Sequence, residues 1–154
     1  MDRGRQRLLR AIEHAWFARM WPLTRFAHQI ENDYDAMPMK TGLLGPYRLT
    51  FDDINSAVCR QSAGVFALGC NDPSGNFQVK HVGRSDADVR AKLRECIGSE
   101  VLFKFCFFAS ARGAFEKECE LFHDFTPPGN RIHPGRPKGT NWECPRCRIF
   151  EAKR

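Results

Sequence analysis

Glu118 stands inside an apolar stripe. It follows Phe115 by three positions and precedes Leu121, Phe122 and Phe125 by three, four and seven, steps that put side chains on one face of a helix. Glu116, Lys117, Glu120 and Asp124 fall off that stripe and read as solvent-facing. A carboxylate turned toward a core is costly unless a cation or hydrogen bonds compensate it. One compensation is a hard divalent cation such as Mg2+ or Mn2+, which prefers oxygen donors. The other is a salt bridge to a neighbouring Arg or Lys, and spacing alone favours it.

A second group lies further on. Cys144-Pro145-Arg146-Cys147 is a Cys-x-x-Cys knuckle, half of a common structural Zn2+ site. It sits in a basic, Gly- and Pro-rich segment that would gain order from a metal. His133, His123 or Cys119 are the residues available to complete four ligands. Two free thiols, or a redox-labile pair, are the competing reading. The chain has seven cysteines, an odd count. Cys59, Cys70, Cys96, Cys106 and Cys119 are scattered among apolar residues and read as small buried hydrophobes. With no secretory segment at the N-terminus, reduced thiols and a cytoplasmic location are expected.

The elements that must position these groups follow from periodicity. Residues 6–20 carry Leu8, Leu9, Ile12, Trp16 and Met20 at helical steps, up to Pro22. Residues 31–50 are turn-rich and read as a segment wrapping the core, and Asp52 or Asp53 caps a short helix before Cys59. A hairpin is expected over 64–70 and 77–83, around the turn Asn71–Asn76. A helix over 86–97, an aromatic strand over 101–108 and a helix over 111–125, capped by Ser110 and stopped by Pro127 and Pro128, complete the order. The expectation is an α+β fold with a small, mostly antiparallel three-stranded sheet flanked by helices. Its divisions are an N-terminal helical extension (1–60), a core (61–130) and a basic tail (131–154).

The hairpin carries the tripeptides Gly64-Val65-Phe66 and His81-Val82-Gly83, the second followed by Arg84-Ser85 and a helix. Glu118 lies on the helix after the third strand, and Asn130 follows it by twelve positions, just past Pro127. This ordered set, over about 67 of the 154 residues, resembles the GIY-YIG nuclease family, with Phe66 and His81 at the two signature tyrosines. The resemblance implies a GIY-YIG-like fold and hydrolysis of nucleic-acid phosphodiesters, DNA above all. It implies Glu118 as the Mg2+ ligand and Asn130 at the far edge of the site. His81 would then serve as general base, a histidine being better suited to that role at neutral pH than an unperturbed phenol. Phe66 keeps the ring of its counterpart without the hydroxyl. The family's helix arginine falls ten positions beyond the second tyrosine. Here Ala91 stands at that place, flanked by Arg90 and Lys92, with Arg84 and Arg94 near. Arg90 is preferred as a bidentate phosphate clamp. Arg84, Lys92, Arg94 and Arg131 are the expected nucleic-acid contacts. A degenerate member that binds nucleic acid without cutting is the alternative, and a zinc-stabilised protein-interaction module is a third reading.

The formal net charge is +6, with basic residues concentrated at both ends. That favours a polyanionic partner, since each phosphate contact releases counterions, although a solvated surface has the same composition. No apolar run approaches the roughly 20 residues that a membrane span needs.

Overall fold

The computed structural model describes residues 40–150, so the helix expected over 6–20 and the basic residues before 40 and after 150 lie outside the described residues. Four strands and three helices follow in order: β1 (Leu44–Arg48), α1 (Phe51–Ala57), β2 (Gly64–Asn71), β3 (Phe77–Ser85), α2 (Val89–Glu95), β4 (Leu102–Phe107) and α3 (Ala111–Phe125). They build an α+β fold around one sheet of order β1-β4-β2-β3, antiparallel at every pairing.

β2 is one of the two interior strands, and nearly all of it is apolar and buried. Strand alternation sends Val65 and Ala67 to one face and Phe66 and Leu68 to the other. Phe66, Leu68, Phe103 and Phe105 pack with Ile54 of α1 and with Val89 and Leu93 of α2. On the opposite face Val65, Ala67 and Val82 pack with Ala114 and Leu121 of α3. The sheet therefore has helices on both sides.

The sheet has one strand more than the sequence pattern suggested. Leu44–Arg48 lies in a stretch whose Gly45 and Pro46 read as a turn, yet it pairs with β4 as an edge strand, where proline is tolerated. The Tyr47 ring anchors it, 5.5 Å from Phe103 and 6.0 Å from Phe105. Residues 44–57 thus contribute β1 and α1 to the sheet and its flanking layer. The short helix before Cys59 is present, but its cap is Thr50, whose hydroxyl accepts from the Asp53 amide at 3.2 Å. α3 spans 111–125 with Ser110 as its cap. α2 starts later than 86 because Asp88 caps it, accepting from the Arg90 and Ala91 amides. Of the five scattered cysteines only Cys119 is buried, while Cys59 is exposed.

Among the described residues no helix is long and apolar enough to cross a membrane.

Candidate functional site

β3 is an edge strand, and the two faces it presents carry different chemistry. Arg84 stands opposite Val65 and His81 opposite Leu68, so the two side chains leave on opposite faces.

On the α3 face, Arg84 Nη1 donates to Glu118 Oε2. Its Nε donates to Asp86 Oδ1 at 2.8 Å and its Nη2 to the Gly135 carbonyl at 2.9 Å. The guanidinium also lies over the Phe115 ring, 5.1 Å from the centroid. Both charged side chains are largely removed from water, 13% exposed for Arg84 and 10% for Glu118. Burial pushes the Glu118 carboxyl above its ordinary range, and Arg84 pulls it back part of the way. Burial also works against the arginine's charge, but Glu118 and Asp86 outweigh it and raise the guanidinium further. Arg84 stays charged whatever the carboxyl does, so Glu118 sets the pair's response to pH.

In this arrangement the compensation of Glu118 comes from Arg84. Oxygens of Glu118, Asp86 and Gly135 surround a guanidinium, so the place a hard cation would take beside the carboxylate is held by a fixed positive charge. The residues do not fit Mg2+ in this arrangement.

Asn130 closes the free edge of β3. The Val82 N–H donates to its Oδ1 at 2.8 Å and its Nδ2 donates to the Val82 carbonyl at 2.9 Å. The Gly129 N–H donates to the Lys80 carbonyl at 2.8 Å. A Cβ at Gly129 would come within 2.7 Å of that same carbonyl, so the close approach requires glycine.

On the other face, a cleft of about 590 Å³ is lined by Lys80, His81, Glu95, Cys96, Ser99 and Gly129, among others. The His81 ring stands 6.4 Å from Phe66 and has no hydrogen-bond partner among the described residues. Phe66 is 2% exposed and belongs to the core. Its ring lies so close to Gly83 that a Cβ there would fall 2.6 Å from Cζ. Burial raises the Cys96 thiol, which favours its neutral, unreactive form.

The remaining basic candidates are dispersed. Arg94 bonds Asn55 and stacks on Phe51, which places it, with Arg90 one turn earlier, on the α1 flank of α2. Arg90 Nε is buried and unpartnered. Lys92 is exposed and paired with Glu95 at 2.6 Å. Arg131 is exposed and has no side-chain partner among the described residues. Arg84, Glu118 and Asn130 therefore gather along β3, whereas His81 and Arg90 point elsewhere.

The segment after α3 builds a second cluster. His123, His133, Cys144 and Cys147 bring one ligand atom each to within 4.8 Å of one another, a possible metal-binding group. His133 Nε2 lies 3.3 Å from Cys144 Sγ and 3.6 Å from Cys147 Sγ, and His123 Nε2 lies 3.5 Å from Cys144 Sγ. Nδ1 of His133 donates to the Pro134 carbonyl at 2.9 Å, which leaves the Nε2 lone pair for a metal. Burial, aided by the charges of His133 and Arg146, holds His123 below the ordinary histidine range and favours the neutral imidazole that a metal binds. The Arg146 amide donates to Cys144 Sγ at 3.4 Å, as in a metal knuckle. Cys119 is not one of the four. It is a buried thiol whose pKa burial and the adjacent Cys144 push well above the ordinary range.

Sequence reasoning offered His133, His123 or Cys119 to complete the set; the spacing of four between Cys119 and His123 puts both on one flank of α3 and does not by itself choose between them. It missed Asp86, two residues beyond Arg84, and the Gly135 carbonyl, which no side-chain pattern announces.

Comparison with family models, with curated proteins and with solved structures gave no match to this chain.

Proposed function

We propose that this chain is a zinc-stabilised nucleic-acid-binding protein with a GIY-YIG-like core, and that the metal braces the basic segment that meets the phosphates. A tetrahedral Zn2+ with bonds of about 2.3 Å to sulfur and about 2.0–2.1 Å to nitrogen has N···S edges of about 3.6 Å. Three of the four His–Cys distances in the cluster, 3.3, 3.5 and 3.6 Å, fit that figure. Mixed His/Cys donors also suit zinc better than a hard cation.

The observation that carries the reading is the charge of the braced segment. Between 131 and 148 it bears Arg131, Arg136, Lys138, Arg146 and Arg148, all exposed, against one acid, Glu143. Arg146 is paired with Asp124, and Arg136 bonds the Trp142 carbonyl and covers Phe150. Arg131 and Lys138 are free of such contacts among the described residues and are the first candidates for phosphate.

The test combines elemental analysis with DNA binding at several salt concentrations. The expected result is about one zinc per chain and an affinity that falls with salt. Arg131→Ala and Lys138→Ala should each flatten the salt slope by about one unit. Protein free of zinc, or indifferent to DNA at low salt, removes the proposal.

Mg2+-dependent endonuclease activity is the second reading, favoured by the unbonded His81 ring in an open cleft, where it would take a proton from water. The Arg84–Glu118 pair is the reason it stands second.

A further inference from the structure

The Arg84–Glu118 pair and the His/Cys cluster share walls. Arg84 Nη2 is bonded to the carbonyl of Gly135, two residues past His133. The Phe115 ring beneath the guanidinium packs on Trp142 at 5.7 Å and Phe150 at 5.9 Å. Those two aromatics flank the Cys144–Cys147 knuckle. On the inner side Phe115, Cys119 and Cys144 form one buried cluster, with Cys119 immediately after Glu118. The His133 ring, 5.3 Å from Phe122 and 5.4 Å from Phe150, ties the same segment to α3.

Segment 131–150 contains no helix or strand. It has no backbone ladder to hold its course, so side-chain packing and the four candidate ligands must do so. Two of the surroundings of Arg84, the Gly135 carbonyl and the aromatic bed of Phe115, depend on that course.

We propose that metal binding at His123, His133, Cys144 and Cys147 positions Arg84 on Glu118, with Gly135 and Phe115 as the positioning groups. The inference rests on the zinc reading above. When the metal leaves, the Gly135 carbonyl and the packing of Trp142 and Phe150 on Phe115 go with it, and the guanidinium loses an acceptor and its cover from water. Coupling between two sites is reciprocal, so loss of the ion pair must in turn weaken the metal.

The test uses the full chain loaded with zinc. The Arg84 Nε–H resonance is identified by its absence from Arg84→Lys. It is then followed by 1H–15N NMR before and after a chelator strips the metal, with zinc content measured at each stage. The expected result is exchange with water at least tenfold faster after stripping, while the Val65 and Val82 amides persist. An unchanged Arg84 resonance in stripped, folded protein overturns the inference and leaves the zinc reading standing. A chain that holds no zinc and takes none up overturns both.

A second arm covers stripped protein that unfolds. Arg84→Gln/Glu118→Gln, with folding checked by circular dichroism, is titrated against a competing chelator. Its zinc affinity should fall at least about fivefold relative to the parent chain. An unaltered affinity overturns the coupling.

Discussion

Asn130 pairs with Val82 through both ends of its side-chain amide, at 2.8 and 2.9 Å, and so stands in for a fifth strand at the open edge of β3. The contact satisfies an N–H and a C=O that would otherwise form an exposed template for another strand. It also fixes where the chain turns from α3 toward His133.

Asn130→Ala leaves two backbone groups of β3 without their partners. A lost partner costs about 1–3 kcal/mol where water cannot replace it, so urea denaturation should show a destabilisation in that range. Asn130→Asp should destabilise further, since its second oxygen would face the Val82 carbonyl with no proton to share. Equal stability of the parent chain and both variants contradicts this role.

Arg84→Ala strands the buried Glu118 carboxylate. Removing one partner of a buried ion pair costs about 3–5 kcal/mol, and a loss of that size is expected in denaturant titration. Glu118→Gln keeps an acceptor for Arg84 and should lose less. Replacing both by neutral residues of similar size should recover part of the loss, and a double variant worse than Arg84→Ala contradicts the pairing.

The sign of the pH response follows from Glu118. Burial raises its folded pKa above the ordinary 4.5, against the smaller opposing pull of Arg84. A carboxyl raised on folding binds protons more readily in the folded state, so its contribution to stability falls as pH rises from the unfolded value through the folded one. The parent chain should therefore lose stability relative to Glu118→Gln as pH rises from about 4.5, with a constant difference above the raised value. Parallel stability curves through that window contradict the shift.

Gly83→Ala places a methyl 2.6 Å from Phe66 Cζ, a ring that core packing cannot move aside. Overpacking of this kind costs about 1–3 kcal/mol, and the thermal midpoint should fall accordingly. An unchanged midpoint contradicts the fixed position of the Phe66 ring.

Much of this was legible in the residues. The 111–125 helix and its Ser110 cap could be read because the apolar stripe and the cap lie within one element. Glu118 announced that it needed a partner but not which, since Arg84 lies 34 residues away and the choice between metal and arginine depends on tertiary placement. The opposite faces of His81 and Arg84 follow from strand alternation, a consequence the sequence reading, which placed both in one site, did not draw. β1 was hidden by Gly45 and Pro46, whose turn-forming preference is overridden at a sheet edge by Tyr47 packing on Phe103. The His/Cys set was half legible: the Cys-x-x-Cys spacing named two ligands, and only the return of the chain across α3 selected His123 over Cys119.

A nuclease assay separates the two functional readings. With Arg84 occupying the oxygens around Glu118, no Mg2+-dependent cleavage of duplex or single-stranded DNA is expected from the parent chain. Cleavage that requires Mg2+ or Mn2+ and disappears in Glu118→Ala would establish the endonuclease reading instead.

The most direct test of the central claim is DNA affinity, by fluorescence anisotropy, for the zinc-loaded chain and for the same chain after chelation, at one low salt concentration. The account predicts binding by the loaded protein and an affinity at least about tenfold weaker without zinc, restored on adding the metal back. Equal affinity with and without the metal, or no binding by the loaded protein, would contradict it.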